Sequence, residues 1–337
     1  MERNYNLDFL KGIAAFIMIF ANTSSYFFDL SDNFIVRLVF SIAAPIFIIS
    51  SGYITQKNLL NLNIPKSKIL YRIFQILFLG VFIDVLFWHS VPFITFDVLY
   101  LIAFCQLFLL FTNKKYLAYS SILVLFTSIL LHQIYFYRFH IPETKILNLN
   151  SLIVSNPIKR LFFDGWFPIF PWLTFFLLGA LSFNFSYLLS KYKKVFVILG
   201  FISIGFFLFI KNKSTFDVRE NYLELWYPLN GYELLIPVAV FFMFIGLLYS
   251  LIKINSKYVK FFMELGKNTL LIYVLNALIV AFISDYSLTL NLSHTEKIFL
   301  FCIVLIFLLL ISVMFEKFKK TIFWTKTPKF IKFILCN

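Results

Sequence analysis

Charge is what this chain has least of: charged residues fill 14% of its 337 positions, and only 16 residues are Asp or Glu. A water-facing surface needs roughly twice that density, so an ordinary soluble domain is excluded. Cysteine is as scarce. Of the three, Cys105 and Cys302 fall inside apolar runs and Cys336 stands near the end, so no disulfide framework and no metal site follows from the spacing. There is no heptad, no solenoid period and no low-complexity stretch, which excludes coiled-coil, repeat and disordered architectures. What fills the chain instead is apolar: 61% of residues are hydrophobic and 48 are phenylalanine.

The apolar residues gather in runs long enough to cross a hydrocarbon core as helices, and they are too uniformly apolar for the alternation of a β-barrel. The pattern predicts an all-α polytopic membrane protein of about ten transmembrane helices. The expected segments are Asp8 to Phe28, Phe34 to Tyr53, Ile69 to Trp88, Phe93 to Phe111, Leu117 to Tyr137, Phe167 to Leu188, Val195 to Ile210, Leu234 to Ile252, Thr269 to Tyr286 and Ile298 to Phe315. The first segment carries Asp8 and Asn22 and lacks a small-residue cleavage site, so it reads as a retained helix. Most of the 30 Lys and Arg fall in alternate connections, which predicts both termini on the cytoplasmic side.

Residues 1–316 read as a single multi-pass membrane domain, and 317–337 as a basic amphipathic C-terminal helix lying on an anionic inner leaflet. The net charge of +14 is spread over the cytoplasmic connections, not clustered with aromatics on one soluble face, so nucleic acid is not an expected partner. The bilayer is; self-association into a homo-oligomer is left open. A bacterial inner membrane is the expected location. Two longer connections, 138–166 and 211–233, combine charged, aromatic and amide residues such as His140, Glu143, Arg160 and Trp166, then Asp217, Arg219 and Trp226. That mixture suits a polar headgroup or sugar, and equally an interfacial aromatic belt.

Buried polar residues in a span are expensive, and they mark functional positions. The first segment opens with Asp8 and Lys11, one turn apart and able to pair, and ends at Asn22. Arg37 lies early in the second segment, ahead of Pro45, where it serves either a structural ion pair or an anion. Asp84 and Asp97 flank His89 across a short connection, an arrangement able to work as an acid/base cluster. Lys267 and Asn268 open the ninth segment from the cytoplasmic side, where a cation beside a helix end suits a phosphate.

Six blocks carry a resemblance. LDFLKGIAAFIMIFAN (Leu7–Asn22), AAPIFIISSGYIT (Ala43–Thr55), YRIFQILFLGVFID (Tyr71–Asp84), ITFDVLYLIAFC (Ile94–Cys105), FPIFPWLTFFLLGALSF (Phe167–Phe183) and LGKNTLLIYVLN (Leu265–Asn276) follow one another in the order of a known pattern. Together they resemble the heparan-α-glucosaminide N-acetyltransferase catalytic-domain family, within the wider transmembrane acyltransferase group. The resemblance implies an enzyme that takes acetyl from cytoplasmic acetyl-CoA, without a metal, and delivers it to an amine or hydroxyl of an envelope glycan or glycolipid.

In that reading Asp8, Lys11 and Lys267 face the coenzyme, while Arg37, Tyr100, Pro171, Trp172 and Asn276 line the substrate path. Asn22, His89, Asp84 and Asp97 are the catalytic candidates. Lys11 stands where the family usually has Arg, and Asn22, Tyr100 and Asn276 stand where bacterial relatives often have His. An amide has no usable proton equilibrium, so a base must come from His89, Asp84 or Asp97. The alternative is a non-enzymatic relative, a transporter, flippase or assembly partner for a lipid-linked sugar.

Overall fold

The structure is a computed structural model that describes residues 4–30, 33–60, 64–93, 95–112, 116–138, 158, 160–211, 235–250, 256–285 and 292–328. Among them every regular element is helical: α1 (Tyr5–Ser24), α2 (Phe34–Phe40), α3 (Ala43–Leu60), α4 (Lys66–Leu86), α5 (Val98–Phe111), α6 (Leu117–Arg138), a π turn (Arg160–Asp164), α7 (Ile169–Asn184), α8 (Ser186–Lys191), α9 (Lys193–Lys211), α10 (Leu235–Leu248), α11 (Lys257–Lys267), α12 (Thr269–Asp285), α13 (His294–Phe318) and α14 (Ile322–Lys326). The all-α membrane architecture holds. Each of the ten expected segments contains a helix.

The tally of full spans is smaller. Among the described residues five helical stretches are long and apolar enough to cross a bilayer, with α2 and α3 counted as one, and six are if the bent pair α11–α12 forms one span. The described apolar stretches of α5, α6, α7 and α10 are shorter, 10–17 residues each, and the tally applies to the described residues alone.

Helix ends follow local chemistry. Asn4, Asn33 and Ser256 cap α1, α2 and α11 by accepting the backbone N–H of Leu7, Val36 and Val259, and Ser293 with Glu296 closes a capping box on α13. The second expected segment is interrupted between α2 and α3, just before Pro45, whose missing N–H leaves the Ser41 carbonyl without its intrahelical donor.

The described residues form two compact units, one from those up to Ile46 and from Leu247 onward, the other from those between Phe47 and Gly246. In the first unit α1 is the central helix, packed by α2, α11, α12 and α13. Its closest approach is to α11: a Cβ on Gly12 would lie 1.7 Å from the Phe262 carbonyl oxygen, and one on Gly266 would lie 1.7 Å from that of Asp8. Two bare glycines therefore set the spacing of these backbones, as small residues do where lipid supplies no hydrophobic drive between helices. Phe262 fills the flanks edge-on against Phe9 and Phe16.

Helix α11 then turns by 76° into α12 at Asn268. Lys267 is thus the last residue of α11 and does not open the span that follows. A cation there suits the negative end of the α11 dipole. Asn268 holds the break: its Nδ2 donates to the carbonyls of Glu264 and Ser312, and its Oδ1 accepts from Lys319 Nζ at 2.7 Å. Beyond α13, Trp324 of α14 packs on Phe315 and Phe318. Residues 329–337, the end of the basic tail, lie outside the described residues.

In the second unit α4 pairs with α5, α6 with α7, and α5 also meets α7. Gly52 on α3 abuts the Phe176 carbonyl of α7 at 1.9 Å from an added Cβ, and Gly179 of α7 abuts Ile49 at 2.1 Å. Gln106 on α5 donates to Ser51 Oγ on α3, and Gln56 on α3 donates to Asn184 on α7.

Candidate functional site

Among the described residues, two buried polar clusters gather most of the sequence candidates, one within each unit. In the second unit it centres on Asp84, in the last turn of α4. Tyr100, from the first turn of α5, donates its hydroxyl to Asp84 Oδ2 at 2.6 Å, and Thr95 donates to Oδ1 at 3.0 Å. All three side chains are buried. Gly80 lies one turn before Asp84 on the same face of α4, and a Cβ there would sit 3.1 Å from the Tyr100 ring. The same helix face therefore supplies both the room for the ring and the acceptor for its hydroxyl. Phe93 and Phe96 enclose the ring from the connection, with centroids 4.6 and 5.9 Å away.

That connection is strained. His89, Phe93 and Phe96 have φ of 48°, 68° and 45°, a region that side-chain-bearing residues seldom adopt at a cost of about 1–3 kcal/mol each. The surroundings hold it there. The N–H groups of Ser90, Trp166 and Phe167 donate to the carbonyls of Asp84, Thr95 and Phe96 at 2.8, 2.7 and 2.9 Å. Gly165 allows the close approach, because a Cβ would meet that of Phe96 at 2.5 Å. The FPIFPW block is thereby tied to the ITFD block. Its Trp172 is fully buried against Phe167 and Phe175, and the Phe170–Pro171 peptide is cis.

The three candidates for a base separate in this geometry. Asp84 sits inside the hydroxyl cluster. Asp97 caps α5, accepting the Val98 N–H at 2.6 Å. His89 is exposed on the connection.

The first unit's cluster lies near the end of α1. Asn22 Nδ2 donates to Asn276 Oδ1 at 3.0 Å, and Asn276 Nδ2 donates to Thr23 Oγ1 at 3.2 Å, which joins α1 to α12. Asn276 and Thr23 are fully buried. Near the other end of α1, Lys11 and Asp8 pair at 3.5 Å, and Asn6 donates to the Leu248 carbonyl at 2.7 Å. The Asp8 backbone packs on Gly266, the residue before half-buried Lys267. Arg37 is buried on α2, where its carbonyl accepts the Ser41 hydroxyl.

Thr95 and Gly80 were not picked out from the sequence. Gly80 could have been, since it stands one turn from Asp84; Thr95 reaches Asp84 only through the turn of the connection. His140, Glu143, Asp217, Arg219 and Trp226 lie outside the described residues, and Trp166 is brought to the Asp84 connection through its N–H.

Apolar helices of spanning length, with carboxylate, amide and hydroxyl groups buried between them, define an integral membrane protein with internal polar sites. The model of the heparan-alpha-glucosaminide N-acetyltransferase catalytic family matches residues 3–198, more than half of the chain, and the chain belongs to this family of membrane acetyltransferases. No curated protein and no solved structure matches it.

Proposed function

We propose that the protein is a membrane acyltransferase that moves an acetyl group from cytoplasmic acetyl-CoA to an amine or hydroxyl of an envelope glycan or glycolipid. The observation that carries this reading is the Asp84–Tyr100–Thr95 cluster, which lies inside the family match and offers a buried carboxylate bonded by hydroxyls. Acyl transfer needs a group to take the proton as the acceptor nitrogen or oxygen attacks the thioester carbonyl. The new C–N or C–O bond forms, the C–S bond breaks, and the proton ends on the departing thiolate.

Asp84 is assigned as the base, with Tyr100 aligning it. In the other unit Lys11 and Lys267 are assigned to the coenzyme phosphates. Asp8 neutralises part of the Lys11 charge, so Lys267 carries more of that role. Asn22 and Asn276 are assigned to hold a polar substrate group by hydrogen bonds, since neither amide takes up a proton.

The test uses purified full-length chain in detergent, radiolabelled acetyl-CoA and membrane glycolipid, with Asp84→Asn and His89→Ala variants alongside wild type. Labelled product from wild type and from His89→Ala, but not from Asp84→Asn, is expected. Absence of both acetyl-CoA binding and labelled product with the wild-type chain overturns the reading.

The break at Asn268 favours a second reading, because transporters place substrate sites at interrupted helices. A transporter or flippase would move labelled glycolipid across reconstituted vesicles without acyl-CoA; an acyltransferase would not.

A further inference from the structure

In the first unit, the bend between α11 and α12 is held from the end of α13 by one lysine. At the bend the Asn268 N–H goes to the Leu265 carbonyl, and the Asn268 side chain serves the carbonyl before it: Nδ2 donates to Glu264 at 3.3 Å and to Ser312 of α13 at 3.1 Å. An asparagine amide fits its space either way round, and the other way would aim an oxygen at two carbonyl oxygens. Lys319 fixes the choice. Its ammonium, which donates and cannot accept, meets Asn268 Oδ1 at 2.7 Å, Glu316 Oε1 at 2.9 Å and the face of the Phe315 ring at 4.7 Å. Its side chain is 18% exposed, whereas Lys317 and Lys320 are exposed. A lysine that served only the α13 dipole could stay in water as they do.

The bend in turn sets Lys267, which stands between two tied residues. Before it, Gly266 packs on α1, where a Cβ would lie 1.7 Å from the Asp8 carbonyl oxygen and 2.9 Å from the Gly12 nitrogen. After it, Asn268 is tied to α13. Lys11 directly precedes Gly12, so Lys11 and Lys267 leave their backbones at one helix crossing. Loosening the Asn268 amide frees one of the two ties on Lys267.

We infer, on the acyltransferase reading above, that Lys319 is a positioning residue for the coenzyme: it orients the Asn268 amide, the amide holds the bend, and the bend keeps Lys267 in register with Lys11 for the coenzyme phosphates. Lys319 touches neither the coenzyme nor the reacting atoms, and it lies beyond the family match, which ends at residue 198. The phosphates are remote from the thioester, so a displaced Lys267 weakens ground state and transition state alike, and KM changes while kcat does not.

The experiment measures kcat and KM for acetyl-CoA with the full-length chain in detergent and saturating glycolipid, for wild type, Lys319→Met, Lys267→Met, the double variant and Lys320→Met. Lys319→Met is expected to raise KM about tenfold, near the value of one hydrogen bond to a charged group, and to change kcat less than about twofold. In the Lys267→Met background the same substitution should raise KM no further, because the two act along one route. Lys320→Met, an equal loss of charge at the next residue, should leave KM unchanged. Lys319→Gln keeps an N–H for Asn268 and should fall between, and it takes the place of Lys319→Met in the cycle if that variant is not monodisperse. An unchanged KM in Lys319→Met, an additive rise in the double variant, or loss of monodisperse protein in both Lys319 variants overturns the inference while wild-type transfer stands. A wild type that neither binds nor uses acetyl-CoA overturns the acyltransferase reading itself, and this inference with it.

Discussion

The Tyr100 hydroxyl donates to Asp84 Oδ2 at 2.6 Å across the strained connection between α4 and α5, while the ring of the same tyrosine rests against Gly80, one turn below Asp84. One residue thus reads both positions on a single face of α4. Packing and hydrogen bonding at this cluster are coupled through Tyr100, and this coupling makes it testable.

Removing only the hydroxyl separates the two. Tyr100→Phe keeps the ring and deletes a hydrogen bond to a carboxylate, a loss of about 1.5–3 kcal/mol. Thermal unfolding in detergent should move down, and acetyl transfer should fall roughly tenfold. Asp84→Asn keeps the size and an acceptor oxygen but removes the base, so transfer should fall about 10²–10⁴-fold with a smaller change in melting temperature. Full activity in Asp84→Asn would remove Asp84 from the mechanism.

Gly80→Ala attacks the packing alone. Its new methyl would press on the Tyr100 ring at 3.1 Å, a crowding of about 1–3 kcal/mol. A Cβ at Gly205, on α9, meets nothing within 4 Å, so Gly205→Ala should be neutral or raise stability by about 0.5–1 kcal/mol through helix propensity. Melting curves of the two variants should move in opposite directions or differ clearly in size.

Gly12→Ala and Gly266→Ala should be far more damaging, because each methyl would run into a backbone carbonyl at 1.7 Å, and a backbone cannot step aside as a side chain does. Size-exclusion chromatography of detergent extracts should show loss of the monodisperse protein for both. A monodisperse Gly12→Ala protein with unchanged melting would mean that α1 and α11 do not meet as described.

The Asn22–Asn276 bond is measured by a double-mutant cycle with Asn22→Ala and Asn276→Ala. Hydrogen bonds between membrane helices couple by about 0.6 kcal/mol on average and at most about 1.7. Asn276 also donates to Thr23, so its single variant should lose more stability than Asn22→Ala. Additive effects would show that the two amides do not share a bond.

Much of this was readable beforehand. The apolar runs alone made the protein helical and membrane-embedded, because backbone groups in lipid have to pair within their own segment. Five of the six blocks that carried the resemblance fall inside the family match, and burial cost singled out Asp8, Lys11, Asn22, Arg37 and Asp84, while Asn276 came from the resemblance. Those are local properties of composition and spacing. Which base candidate sits in a polar cluster was not local. Asp84, His89 and Asp97 lie within one short stretch, yet one joins the hydroxyl cluster, one is exposed and one caps a helix, because the backbone of the connection turns through three left-handed residues. The contact of Asn22 with Asn276, the meeting of Gly12 and Gly266 with facing carbonyls, and the latch of Lys319 on Asn268 join residues far apart in the chain. The sequence by itself determined which groups are costly to bury. Only the tertiary structure decided their partners, because in a bilayer each buried polar group has to find a donor or acceptor on whichever helix packs beside it.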